Sequence, residues 1–433
     1  MKLSSFLLLA PSTNGNVIVR QTHTGSVIEI DPESATWLQS GDFDQFPADA
    51  ISDLVSLGII HDDTVDEKAE FLKHYSQTWD GLGTFLLHLV PTTNCQLDCV
   101  YCYEDGIDRT KVVSDNKIPE ILSWIDSYLA ANELHLMRIV WHGGEPLLYP
   151  NKLRDTMPSL LEIAERRGIP LETQVVTNGV MATADILEFL SGYNLGRLQI
   201  TLDGPPEVHD SRRYRRGTKA GSFAEIHSNM LAALNQGFVQ RIDVRVNLDI
   251  QNQGKLERLF AILAADGVQD NIHLSLGIIT NTLPNESCSG GANNYFDVYG
   301  FSEDQAVEEY LKVAALAKSY GFQPPGELIV GPWCVARHPH AWTVGPDGEI
   351  YKCLSTVGRP EHVVGHLPEV PSNDAVTSYT LRRIADCLDQ GCNMVPICGG
   401  GCLFEEKVNG TTNCPKALLQ RVNAGLLTLE HGQ

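Results

Sequence analysis

The sequence predicts an α/β protein: a parallel sheet covered by helices, preceded by a small α+β module and followed by an irregular cysteine-rich region. Three observations carry this reading. From 85 to about 280, apolar strand-like runs alternate six times with helical patterns, as βα repeats do. Motifs rich in glycine, asparagine and aspartate close several of those runs, where the loops of a βα unit begin. Ten of the eleven cysteines fall in two groups, 95–102 and 334–414, with a region boundary between them near 325.

The 433 residues hold material for two or three domains and a sizeable core. Lys and Arg total 32 against 54 Asp and Glu, a formal charge of -22. Nucleic acid is excluded as a partner, since neutralising phosphates takes basic patches. Cysteines clustered in this way point to metal rather than to a disulfide scaffold. The opening MKLSSFLLLAPS has one lysine, an apolar core of only about eight residues and no small-x-small cleavage site, so it does not read as a secretion signal. No apolar run approaches the roughly 20 residues of a membrane span. The expectation is a cytoplasmic protein.

In chain order, SFLLLAP, NVIVRQ and SVIEI within 5–30 read as strands, the first two joined at an Asn14-Gly15 turn. Helical patterns follow at 32–39, 47–58 and 65–76, with Asp31 and Pro32 marking the first start. Three strands and three helices over 1–80 suggest a winged-helix-like module. It resembles the peptide-recognition element that precedes many peptide-modifying enzymes; a plain N-terminal cap is the alternative. SQTWDGLG, 76–83, reads as a linker. The strands of the 85–325 region are FLLHLVPT, MRIVWHG, LETQVVTN, RLQITLD, RIDVRVNL and NIHLSLGI, with helices near 117–132, 151–167, 182–193, 220–236 and 253–266. A further helix over 303–321 closes the domain.

The first strand runs into TTNCQLDCVYCYEDG, which holds Cys95, Cys99 and Cys102 spaced C-x3-C-x2-C, with Tyr101 before the last thiol. Three thiolates in one loop can ligate three irons of a [4Fe–4S] cube and leave the fourth iron open for a ligand. A zinc loop is the alternative. After the second strand comes Gly143-Gly144-Glu145-Pro146, in which glycines allow close backbone approach and a carboxylate can hold an ammonium group. Thr177-Asn178 ends the third strand, and Thr201 with Asp203 ends the fourth. Asn247 ends the fifth. His209 follows in DGPPEVHDSRR with Arg212; it is either a proton carrier or a residue that fixes a loop. Cys288, in a long polar loop, reads as incidental.

These motifs, in this order, resemble the radical S-adenosylmethionine (SAM) superfamily. The resemblance implies a partial (β/α)6 barrel with chemistry at its C-terminal strand ends. It implies that SAM chelates the open iron and yields a 5′-deoxyadenosyl radical, with the Gly143–Pro146 segment taking the methionine amino group. Tyr101, Thr177, Asn178, Thr201 and Asp203 are the further cofactor-binding candidates; His209, Arg212 and Asn247 are weak catalytic candidates.

Seven thiols at short spacings in 326–433 also argue for metal. They resemble the SPASM extension with two auxiliary [4Fe–4S] clusters. By that pattern Cys387, Cys392, Cys398 and Cys414 hold one cluster, and Cys334, Cys353 and Cys402 the other. The chain departs from the pattern twice. Asp389 stands where a cysteine is usual, leaving Cys387 or Asp389 as ligand, and the second set is one thiol short, with His340 as a tentative fourth ligand or an open iron. Structural zinc is again the alternative.

The branch resembled contains peptide maturases, sulfatase-maturing enzymes and small-molecule dehydrogenases. Leu354 follows Cys353, where the sulfatase-maturing group carries its aspartate base. The expectation is therefore a maturase of a ribosomal precursor peptide, leader plus core, that installs a thioether or carbon–carbon crosslink and is supplied with electrons by a flavodoxin or ferredoxin. A formylglycine-generating enzyme, another dehydrogenase of this branch, and a non-catalytic iron–sulfur carrier or peptide-binding scaffold are the alternatives.

Overall fold

The computed structural model describes residues 1–81, 83–281, 295–329, 334–403 and 414–431. Its centre is a nine-stranded sheet. Six strands, Thr84–Leu89, Leu136–Trp141, Leu171–Thr177, Leu195–Thr201, Ile242–Leu248 and Ile272–Ile278, lie side by side in chain order and pair in parallel. They are the six runs expected from the sequence, each within two or three residues at either end. The third and fifth strands alternate buried and part-buried residues without a break, so one face packs on helices and the other turns inward. The outward face joins the largest apolar core with helices such as Lys117–Ala131 and Pro150–Arg167. The result is a mixed α/β fold around a parallel sheet, consistent with a partial barrel.

The cysteine-rich region is less separate than expected. Ala341–Val344 adds to the free side of the first strand in parallel register, and Glu349–Tyr351 and Gly365–His366 continue the same sheet antiparallel. AWTV is four residues long and fully buried, too short for a sequence pattern to register.

The N-terminal module has its three strands, Leu7–Pro11, Val17–Gln21 and Val27–Ile30, in an antiparallel sheet. Asp31 caps the helix Pro32–Ser40 through the Glu33 and Ser34 amides. One correction concerns the linker. The third helix runs Glu67–Gly81, through most of 76–83, because no proline interrupts it before the glycines at 81 and 83. Among the described residues no helix is long and apolar enough to cross a membrane.

Candidate active site

The loop after the first strand is pinned from below. Thr92 Oγ1 donates to Lys111 O and Thr93 Oγ1 to Asp108 O, each at 2.7 Å. This presents Cys95, Cys99 and Cys102 on one turn. Asn178 at the end of the third strand reaches the same turn, its Nδ2 lying 3.5 Å from Cys95 Sγ and 3.3 Å from Gln96 Oε1. Arg109 Nη2 lies 3.9 Å from Cys102 Sγ.

A short strand pair, absent from the sequence reading, completes the frame. Leu97–Cys99 runs antiparallel to Arg213–Arg215, with Arg213 opposite Cys99. Burial pushes the Cys95 thiol up to about 12 and raises Cys99 and Cys102 as well, while Arg213 and Arg109 act against the rise at Cys99. Bare thiolates are disfavoured in such a place, so these thiols suit cationic iron rather than a free nucleophile. Three thiols on one loop, with the Asn178 amide and the Arg109 guanidinium beside two of the sulfurs, are a donor set of the kind a [4Fe–4S] cube takes.

The Gly143–Pro146 segment packs on this loop, with a correction to the expected reason. Gly144 N donates to Thr92 O at 3.1 Å and Glu145 N to Asn94 O at 2.8 Å. A Cβ on Gly144 would lie 2.3 Å from Asn94 O, and one on Gly143, at φ +135°, would lie 2.4 Å from Thr92 O. The glycines let this segment's backbone meet the backbone of the cysteine loop. The Glu145 carboxylate is fully buried, taking the Leu147 and Asn178 amides and the Thr177 hydroxyl at 2.7–2.9 Å. It ties the second and third loops together, and Pro146 starts the short turn behind it.

Asp203 is the hub of the next layer. Tyr101 Oη donates to its carboxylate, Arg212 Nε lies 3.4 Å away, and the Asn247 amide donates at 2.9 Å. Burial would raise this carboxyl, but Arg212 and Arg213 outweigh it and hold it below its ordinary range. Arg213 and Asn247 also donate to Tyr101 Oη, at 2.7 and 3.1 Å. Arg212 is fully buried and ion-paired to Asp249, so it is a structural cation. His209 is fully buried, accepting from Asp203 N at 3.3 Å and meeting Ser222 Oγ at 3.0 Å. Burial lowers it to about 3. It braces the loop, and burial favours its neutral, singly protonated ring. Thr201 is buried beside this layer.

In the second group, thiols raise one another's pKa. Cys353 is raised to about 12 by burial and then by Cys334 and Cys402; Cys387 is raised by burial, with Cys392 and Cys414 adding. Cys398, raised to about 11, feels Cys392. Asp389 is ion-paired to Lys68 of the N-terminal module. His340 faces the helix Lys117–Ala131: its Nδ1 is 2.9 Å from Tyr128 Oη and the two rings meet edge-on. The side chains that act electrostatically on Cys353 include the thiols of Cys334 and Cys402. Cys288 lies outside the described residues.

Sequence reasoning passed over Arg109, Gln96, Glu104 and Arg245, and read Arg213 only as the end of DGPPEVHDSRR. Glu104, two positions after Cys102, is buried and raised to about 7 by burial against Arg109 and Arg359. An acid in CVYCYED was a readable signal. Arg245, on an alternating strand, gave none.

A three-thiol loop at the C-terminal ends of a parallel partial barrel defines a class, the radical SAM proteins. Residues 89–263 match the Radical SAM superfamily. This segment is therefore a radical SAM domain, a domain of enzymes that use a [4Fe–4S] cluster and SAM. An uncharacterized protein of Methanothermobacter thermautotrophicus is 27% identical over 248 residues, 54% of this chain and 88% of that one. The serine-type anaerobic sulfatase-maturating enzyme of Bacteroides thetaiotaomicron is 28% identical over 139 residues, 30% of this chain and 32% of its own length. The alignment thus spans about a third of that enzyme. Among solved structures, native anSMEcpe with bound AdoMet and the Kp18Cys peptide shares the fold, with a TM-score of 0.60 at 12% identity over 80% of this chain and 97% of that one.

Proposed function

We propose that the chain is a maturase of a ribosomally made precursor peptide. Cys95, Cys99 and Cys102 would hold a [4Fe–4S] cluster, which together with SAM would supply the one-electron radical chemistry that removes substrate hydrogen. This chain's own residues prepare that site. Glu145, Thr177 and Asn178 lock the second and third loops against the cysteine turn, so that backbone carbonyls of the Gly143–Pro146 segment are available to the methionine ammonium. Arg109 and Arg213 offset the cluster's negative charge, and hydrogen bonding around the sulfurs tunes its potential. Tyr101, Asp203 and Asn247 form the polar floor beside it.

Cys334, Cys353 and Cys402 hold one auxiliary cluster, and Cys387, Cys392, Cys398 and Cys414 the other. The pairing of Asp389 with Lys68 favours Cys387 as ligand. The observation that carries the peptide reading is the N-terminal sheet. Among the described residues its strand Val27–Ile30 pairs on one side only, with Val17–Gln21, leaving an edge to which an extended leader peptide can add, with pockets for alternate side chains. A formylglycine-generating activity is favoured only by the named relative, and Leu354 leaves it without the aspartate base.

The experiment is anaerobic reconstitution with iron, sulfide and reductant, followed by SAM and the short peptide encoded beside the gene. Formation of 5′-deoxyadenosine together with peptide lighter by one pair of hydrogens supports the reading. SAM cleavage with the peptide mass unchanged refutes it.

A further inference from the structure

A cavity of about 620 Å³ opens along the sixth barrel strand. Arg245, Ser275 and Gly277 line its barrel side, and Cys402 and Cys414 line the side of the C-terminal region. Arg245 projects inward from the fifth strand. Its Nε donates to Asn247 Oδ1 at 3.1 Å and its Nη1 to Ser275 Oγ at 3.2 Å. Both acceptors are neutral. Among the described residues no carboxylate lies within ion-pair distance of this guanidinium, and Asp203, the carboxylate whose field reaches it, is already engaged by Arg212. The acids on the cavity wall are also engaged, Glu327 by Arg20 at 2.8 Å and Glu303 by Arg421 at 3.7 Å.

The neighbouring strand is shaped around this cation. A Cβ on Gly277 would lie 1.8 Å from Arg245 Nη2, so only glycine leaves the guanidinium its seat. Its planar fork is thus held by two side chains and backed by bare backbone, while Nη2 has no acceptor among the described residues. A charge enclosed without a counter-charge is unfavourable, and burial accordingly lowers the arginine's pKa. An arginine fork in a fixed plane matches a carboxylate, which it can take with two parallel hydrogen bonds.

We propose that Arg245 is a specificity-determining residue that pairs with a carboxylate of the substrate peptide, an acidic side chain or the chain terminus, drawn into the cavity between the barrel and Cys402 and Cys414. The proposal rests on the peptide-maturase reading and names the substrate feature that reading leaves open. The chain's formal charge of -22 repels acidic peptides in general, so one enclosed cation selects by position rather than by overall attraction.

The test uses the reconstituted full-length enzyme with SAM and short dye-labelled Gly/Ser peptides. Some carry a single Asp, others Asn in its place, each with a free or an amidated C-terminus, and binding is read by fluorescence anisotropy. In the native enzyme a carboxylate-bearing peptide binds roughly tenfold more tightly than its fully neutral counterpart. Arg245→Gln removes that preference and Arg245→Lys keeps part of it, while the Asp and amidation arms tell side chain from terminus. Peptide binding without acid preference, or a preference that survives in Arg245→Gln, overturns the proposal and leaves the maturase reading standing. Failure of every peptide to bind overturns both. Loss of SAM affinity in Arg245→Gln, measured by equilibrium dialysis, would assign the cation to the cofactor's carboxylate and overturn the proposal.

Discussion

Gly144 is the residue at which the second-strand loop and the cysteine loop touch backbone to backbone. Its would-be Cβ meets Asn94 O at 2.3 Å and Thr93 O at 2.6 Å, and backbone cannot swing aside as a side-chain tip can. Gly144→Ala should therefore displace the turn that carries Cys95, while the distant C-terminal thiols stay as they are. The expected result is loss of the SAM-dependent change in the cluster's electron paramagnetic resonance signal, and of 5′-deoxyadenosine, with C-terminal iron retained. Full SAM cleavage by this variant would show that the loop can move. At this scale the sequence was informative about identity but not about reason. GGEP was legible as a cofactor motif, yet the glycines face the protein's own backbone and the glutamate is spent on Thr177 and Asn178. Which atom a conformationally free or charged residue serves depends on what the fold brings beside it.

Among elements, the six barrel strands were legible because each is an apolar run bounded by turn residues and separated by a helical period. The pair Leu97–Cys99 with Arg213–Arg215 was not. Its halves are three residues long, and pairing over such a separation leaves no periodic trace. The same holds for Ala341–Val344, the strand that fuses the cysteine-rich region to the barrel. That fusion fixes His340 just before the strand, its carbonyl accepting from Leu86 N at 3.0 Å and its ring turned to Tyr128. Two variants follow from this placement. His340→Ala should keep the iron and sulfide content of the intact enzyme, at a cost of about 1 kcal/mol for the lost Tyr128 contact. Cys353→Ala should lose one cluster's worth. Equal iron loss in both, by elemental analysis, would restore the histidine as a ligand.

At the scale of the whole molecule, the N-terminal module is built into the C-terminal region rather than tethered to it. Thr22 Oγ1 donates to Asn393 O and Asn393 Nδ2 to Leu7 O, each at 2.7 Å, while Phe6, Phe71 and Tyr75 pack with Ile384 and Val395. These partners stand more than 300 residues apart, which is why the sequence suggested an independent unit. The polar interior adds a second property of the whole fold. His88, His142 and His209 are each held low by burial, at about 4, 3 and 3; Arg197 adds to the effect at His88, His88 at His142, and Arg213 at His209. Their folded values lie below the roughly 6.5 of an unfolded histidine, so the unfolded chain binds these protons first. Stability from the three is complete above that value and declines as pH falls toward the folded values, by up to about 1.4 kcal/mol per histidine per pH unit. Between about pH 7 and about pH 5.5 the loss should approach roughly 4 kcal/mol in all. His209→Gln, which can still accept from Asp203 N but does not titrate, should lose about 1 kcal/mol less over the same interval. Urea midpoints of the two proteins at both pH values provide the check, and parallel losses would mean that His209 already carries its proton in the folded chain.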